Sequence, residues 1–245
     1  MKLALLIPST SNGRDNWKNI KDTYLYNYTI KSFINTKDDE HEYYFYIGYD
    51  ENDRIYSDIL EQNIIHEFVK PYNIICKFIK MNIEKGFLTK MWNYLFKISY
   101  NDGNDYFYQT GDDIIFKTKG WISDSIDILQ QNNNIGLSGP MNNNIWILTQ
   151  AMVSRKHMEI FGFFFPEEIK NWCCDDWYNY LYKPNYFYVL KNHYCSNNGG
   201  EPRYIINNDK NYSKNISINT QKLRKYSMLL AEQHKQKIKE YISNN

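Results

Sequence analysis

The chain has none of the short signatures that mark most nucleotide- and acyl-handling enzymes. No GxxxxGK[ST], GxGxxG or GxSxG occurs in its 245 residues, so P-loop, dinucleotide-binding and serine-hydrolase readings lack the residues their chemistry needs. HExxH and any Cys/His cluster are missing too, which removes a zinc site. The four cysteines, Cys76, Cys173, Cys174 and Cys195, show no CxxC spacing. An adjacent pair such as Cys173–Cys174 rarely closes on itself, so a reducing, cytoplasmic setting is expected. The formal charge is only +1 and no basic block stands out, which argues against nucleic acid or an anionic membrane as partner. The apolar run Leu3–Ile7 is cut off by Pro8, and no other run approaches membrane-spanning length; neither a signal-peptide core nor a transmembrane segment is expected.

What is present is an α/β pattern. Leu3–Ile7 reads as a buried parallel strand running into a Pro-Ser-Thr-Ser-Asn-Gly loop. Apolar residues at helical spacing over Asp15–Phe33 predict a helix, Glu42–Tyr49 a second strand, Ile55–Val69 a helix and Ile74–Met81 a third strand. Gly86–Tyr100 is helical in period, stops at Asn101-Asp102-Gly103, and leads into the aromatic strand Tyr106–Tyr108. The order β-α-β-α-β-α-β is that of a doubly wound nucleotide-binding half. The second half is less regular. Helices are expected over Gly120–Gln131, Arg155–Phe161 and Trp172–Tyr182, and strands over Ile135–Ser138, Ile145–Val153 and Tyr186–Leu190. The tail Thr220–Ile242 reads as a long amphipathic helix with Leu223, Tyr226, Leu230, His234, Ile238 and Tyr241 on one side. Such a helix usually packs on its own domain; pairing two copies of the chain is the minor reading.

Two acid pairs stand out. Asp112-Asp113 lies between the apolar triplets Tyr106–Tyr108 and Ile114–Phe116, and Asp175-Asp176 sits on the helix that starts near Trp172. Adjacent carboxylates between buried strands repel each other and resist desolvation, so a cation or polar partner should satisfy them. At the carboxyl end of a central strand they are placed to hold a divalent cation and a nucleotide. A solvated Gly-Asp turn would contain the same residues.

The ordered series resembles the nucleotide-sugar glycosyltransferases of the GT-A fold. An apolar first strand enters Pro8-Ser9-Thr10, the acid Asp50 follows the second strand, Lys90 and Asn93 lie on the helix before the acid motif, and TGDDIIF is D-x-D-like. The later run TQAMVSRKHMEIFGFFFPEEIKNWCCDDW, then His193 and Arg203-Tyr204, resembles such enzymes of large DNA viruses and protists. The likeness covers residues 1–205. It implies a GT-A catalytic domain over 1–218, with a nucleotide-binding half over 1–116 and an acceptor half over 117–218, followed by a C-terminal helix over 219–245.

The resemblance also implies roles. Asp113 would bind Mn²⁺ or Mg²⁺ bridging the donor diphosphate, with Asp112 reaching the ribose or the cation's waters and His193 as a further ligand. A surface or capping histidine competes closely for His193. Asp50 would accept from the base of a UDP-linked donor, and Pro8, Ser9, Thr10, Asn12 and Arg14 would line base and ribose. Lys90 and Asn93, three apart on one helix face, could both point at the nucleotide, although a plain surface lysine competes for Lys90. Asp176, or failing that Asp175, would be the general base of an inverting transfer to a glycan or glycoprotein. Trp172 and Trp177 could form an acceptor platform, and Gly139-Pro140 and Thr149-Gln150 would shape the sugar pocket. Gly111 stands where the usual motif has its first acid, which would either weaken cation affinity or leave more coordination to His193 and water.

The function expected is a metal-dependent hexosyl- or hexosaminyltransferase, acting in the cytoplasm of a host cell if the chain is viral. Two alternatives stay open. A sugar nucleotidyltransferase would use a Gly-rich basic loop after the first strand, but STSNGRDNW has one Gly and one Arg. A non-catalytic carbohydrate-binding protein would leave both acid pairs solvated.

Overall fold

A computed structural model describes residues 1–199 and 216–244. Four parallel strands form one side of an eight-stranded mixed sheet: β1 (Lys2–Ser9) pairs with β2 (Glu42–Asp50) and with β4 (Tyr106–Gln109), and β2 with β3 (Ile74–Met81). Beyond β4 the direction reverses. Strand β7 (Ala151–Ser154) is antiparallel to β4 and to β6 (Leu137–Met141); β8 (Phe187–Asn197) is parallel to β6, and β5 (Ile114–Phe116) is antiparallel to β8. The spatial order is 3-2-1-4-7-6-8-5.

The apolar runs seen in the sequence are strands buried on both faces, and side-chain alternation divides them between two cores. Leu3, Leu5 and Ile7 join one cluster with Phe33, Ile65, Trp121 and Ile126, from α1 (Lys31–Thr36), α2 (Ile59–Val69) and α4 (Trp121–Gln131). Ala4 and Leu6 join the other with Leu95, Phe96, Phe161 and Trp177, from α3 (Leu88–Asn101), α5 (Arg155–Phe161) and α6 (Cys174–Tyr182). The last helix, α7 (Ile216–Asn244), adds Leu230, Ala231 and Ile238 to that second core.

Some sequence-based expectations need correction. The helix expected from Asp15 forms only from Leu25, where a π-helical stretch to Ile30 runs into α1; Asn19 and Asp22 close a capping box on a separate short turn, Ile20–Asp22. The helix expected from Ile55 begins at Ile59, because the Asp58 side chain caps it by accepting from the Leu60 amide at 2.8 Å. Of Ile145–Val153 only Ala151–Val153 is strand; before it the Asn144 side chain accepts from the Trp146 amide at 2.9 Å and fixes a loop. The strand expected to end at Leu190 continues to Asn197, so His193 lies within β8. On α7, Tyr226 is 44% exposed and Ser227 is buried in its place, while Leu230 and Ile238 are buried as expected.

The strand order reverses its direction of travel between β1 and β4. The carboxyl ends of these two strands therefore open a crevice that no crossover helix fills. Pro8, Ser9 and Thr10 leave β1 there, and Gln109 to Asp113 leave β4.

Candidate active site

The crevice is a cleft of about 500 Å³ lined by Pro8, Trp92, Gln109, Asp112, Asp113, Thr149, Gln150, Asp175, Asp176 and Arg224, among others. A small recess of about 70 Å³ adjoins it, lined by Pro8, Ser9, Thr10, Asp50, Lys85, Gly86, Leu88 and Met91. The fold thus brings both acid pairs to one cavity and Asp50 to its annex.

Asp112 and Asp113 part company although they are neighbours. The buried Asp112 carboxylate accepts from Ser9 Oγ at 2.7 Å, tying β4 to β1. Asp113 is half-buried and faces the end of β8: Asn197 Nδ2 stands 3.5 Å from its Oδ1, and the Asn198 amide donates to its backbone oxygen at 3.0 Å. Two glycines cradle its carboxylate. A methyl group on Gly111 would come within 2.6 Å of Oδ1, and one on Gly199 would fall on Oδ2. Gly111 therefore makes room for Asp113, which is the structural meaning of the acid absent from that position. Arg14 crosses above, donating to the Gly199 oxygen at 3.1 Å and lying over the Tyr24 ring at 5.2 Å.

The recess is held by an acid the sequence reading passed over. Asp53 is fully buried and gathers five donors: the Ser11 amide and hydroxyl, the Ile55 and Tyr56 amides, and the Thr10 hydroxyl at 2.9 Å. The Thr10 hydroxyl is also 2.9 Å from Asp50 Oδ2, which accepts from Asn12 Nδ2 at 3.1 Å. Asp53 builds the loop after β1, and Asp50 stays half-buried at the rim. A run of four polar residues after β2, Asp50 to Asp53, was the visible signal, but it did not separate the rim acid from the buried one.

Across the cleft, Asp175 and Asp176 occupy the first turn of α6, where the helix dipole favours negative charge. Cys173, at φ 66°, turns the chain sharply into that helix. Asp175 Oδ1 accepts from the Asp176 amide at 3.0 Å. Burial, and next the neighbouring Asp176 charge, push its carboxyl up to about 7. Asp176 is buried, and its Oδ1 accepts from Arg224 Nε of α7 at 2.9 Å. The fully buried Asn179 holds the roof loop from below, accepting from the Leu148 amide at 2.9 Å and donating to its oxygen at 2.7 Å. Tyr178 Oη bridges the Leu148 oxygen to Gln109 on β4.

Several sequence-predicted residues lie elsewhere. Asn93 is spent on the chain after α5: its oxygen accepts from the Phe164 and Phe165 amides and its nitrogen donates to the Phe165 oxygen at 2.8 Å. Lys90 is exposed, over the Phe87 ring and 3.7 Å from Glu167. The polar face of α3 thus clamps the second half of the chain rather than turning to the cleft. His193 is bonded to Thr118 Oγ1 at 3.1 Å and to Asp124 Oδ2 at 2.8 Å. The β5–β8 register puts Asn197 opposite Ile114; four residues of extended chain carry His193 about 13 Å further from the acids, so it is not a ligand with Asp113. Gly139 lies behind the cleft, where a side chain would press on the Gln150 oxygen at 3.1 Å. Trp177 is fully buried in the second core, so of the two candidate platform tryptophans only Trp172 reaches the cleft. Arg203-Tyr204 lie outside the described residues.

Among the described residues no group of three or more His, Cys, Asp or Glu side chains could hold a metal ion by itself, and no helix is long and apolar enough to cross a membrane.

No protein-family profile and no curated protein matches the chain in sequence. Its fold does match solved structures. Staphylococcus aureus TarS residues 1–349 in complex with UDP-GlcNAc superposes with a TM-score of 0.55 at 13% identity, over 84% of this chain and 62% of that one. GalNAc-T7 with UDP, GalNAc and Mn²⁺ superposes with a TM-score of 0.55 at 8% identity, over 80% of this chain and 43% of that one. The chain spans less than two thirds of the length of either protein. At these identities the likeness is one of architecture: the chain has the GT-A fold.

Proposed function

We propose that the chain transfers a sugar from a nucleotide-sugar donor, UDP-linked, to a hydroxyl of a glycan acceptor, with inversion at the anomeric carbon. One observation carries this reading. Asp112-Asp113 at the strand ends and Asp175-Asp176 on α6 face a single cleft, continuous with a recess rimmed by Asp50 and Thr10. The neighbours crystallised with UDP-GlcNAc and with UDP, GalNAc and Mn²⁺ support it.

In this mechanism the base lies in the recess, where Asp50 accepts from its N–H, and the diphosphate points at Asp113. Asp112, locked to Ser9, positions the ribose side. The sugar lies toward Thr149 and Gln150. The acceptor hydroxyl attacks the anomeric carbon from the face away from the diphosphate, and its proton passes to Asp175. The bond from the anomeric carbon to the phosphate oxygen breaks, and the nucleoside diphosphate leaves with that electron pair. Asp175 takes the base role from Asp176 because its carboxyl, raised to about 7, suits proton removal at neutral pH. Asp176 is instead held by Arg224.

The residues fit a divalent cation that arrives with the nucleotide. Mg²⁺-type sites are commonly one or two carboxylates completed by water and substrate phosphates, and Gly111 and Gly199 leave room for the Asp113 carboxylate at the cleft. Bound there, a cation would neutralise charge on the departing diphosphate. Calorimetric titration is therefore expected to show UDP affinity that rises with Mn²⁺ and falls on chelation, while Asp113→Ala binds UDP equally with and without the metal. Chelation that leaves wild-type UDP affinity unchanged would rule out the cation role.

Gly199→Ala tests the cradle separately. The new methyl displaces the Asp113 carboxylate, and Mn²⁺-dependent UDP binding should weaken roughly 10- to 100-fold, the usual scale for disturbing the support of a ligand. An unchanged affinity would mean that Asp113 does not need this position. A release assay for free UDP across UDP-, GDP- and dTDP-sugars tests the whole proposal: turnover of none of them would remove it.

A further inference from the structure

A second groove, of about 370 Å³, opens on the far side of the Asp176–Arg224 pair, lined by Asn144, Trp146, Ile147, Asp176, Tyr180, Lys183 and Arg224. Four of these, Asn144, Ile147, Asp176 and Arg224, also line the main cleft, so the groove leads into it past the ion pair. Asp175 borders only the main cleft.

Trp146 is the unusual member. It is 79% exposed, and Ile145 beside it is 74% exposed. A tryptophan so exposed leaves a large apolar face in water, which marks a binding surface when it sits on the wall of a groove. Its loop is well held: Asn144 accepts from the Trp146 amide at 2.9 Å, Lys183 Nζ donates to the Trp146 oxygen at 3.1 Å, and Asn179 secures Leu148 two residues on. The backbone that carries the ring is fixed before any ligand binds, so little ordering cost falls on the binding step.

We propose that this groove is the subsite for the second sugar of the acceptor, which stacks a pyranose face on Trp146 while the terminal sugar presents its hydroxyl to Asp175 in the main cleft. The acceptor class is then an oligosaccharide of two or more units, not a monosaccharide. The groove is also lined by Tyr180, Lys183 and Asn144, which carry hydrogen-bonding groups for ring hydroxyls. The proposal rests on the glycosyl-transfer reading of the cleft.

The test uses the full chain saturated with UDP and Mn²⁺. Affinities are measured by saturation-transfer difference NMR for the methyl β-glycosides of glucose, galactose and N-acetylglucosamine, and for cellobiose, lactose and chitobiose. At least one disaccharide should bind about tenfold more tightly than every monosaccharide, the scale of one aromatic face, with transfer to the protons of both rings. Trp146→Ala should abolish that advantage and leave UDP affinity, read by calorimetry, unchanged; Trp146→Phe should keep most of it. No disaccharide advantage in the wild type, or an advantage that survives Trp146→Ala, overturns the subsite while UDP binding leaves the transfer reading standing. A wild type that does not bind UDP removes both.

Discussion

Asp175→Asn is expected to lower transfer roughly 10²- to 10⁴-fold, the range for removing a positioned general base, with UDP affinity unchanged. In the wild type kcat/KM should rise with pH through a midpoint of about 7, because the base works only when deprotonated and burial beside Asp176 raises its carboxyl to that value. The variant's profile should lose this limb. The same substitution should stabilise the protein. A carboxyl whose folded pKa lies above its unfolded value holds its proton longer in the folded state, so it contributes most at low pH. That contribution is lost as pH rises from about 4 to about 7. Asn keeps the bond from the Asp176 amide and carries no charge to bury. Urea unfolding of the two proteins should therefore coincide near pH 4 and diverge upward, with the variant ahead by on the order of 2–4 kcal/mol above pH 7. A variant that loses activity without gaining stability would show that the Asp175 carboxyl is not raised by burial, and one that keeps full activity would return the role to Asp176.

Asp53→Ala should have the largest effect on stability. The carboxylate is fully buried and satisfies five donors from Thr10, Ser11, Ile55 and Tyr56. Removing it strands buried amides and a hydroxyl, at a cost of about 3 kcal/mol or more. The urea midpoint should fall without a change in m-value. Because the same loop carries Thr10 and Asn12 to Asp50, UDP affinity should also drop in the protein that remains folded. A wild-type midpoint in Asp53→Ala would show that this network does not hold the loop.

The legible and illegible parts of the chain divide along a physical line. Strands β1 to β4 could be read directly, because buried parallel strands are continuous apolar runs and their period is local; the helices between them could be read too, except for where the first two begin. The acid pairs were legible for a related reason: adjacent carboxylates among apolar and aromatic residues, between two strands or on a helix flanked by tryptophans, are conspicuous on their own. The loop over 145–150 was not, since Ile145 and Trp146 look like strand residues yet are exposed. Asn179, thirty-one residues later, decides their fate by holding Leu148. His193 failed for want of register. Its residue type suits a ligand, but pairing of β8 with β5 carries it away from Asp113 to Asp124.

The strand order that opens the crevice between β1 and β4 is tertiary; by itself the sequence determined the α/β architecture and singled out the two acid pairs. These follow from hydrophobic periodicity and from the cost of burying charge, both properties of a short stretch of chain. The tertiary structure alone decided how the acids differ. Asp112 is bonded to Ser9 and Asp113 lies in a glycine cradle; Asp175 is left with a raised pKa while Asp176 is held by Arg224. Adjacent carboxylates are chemically alike in a sequence. Ser9, Gly199 and Arg224, which make them unlike, lie 48 to 103 positions away in the chain, and only the packed fold brings those within reach.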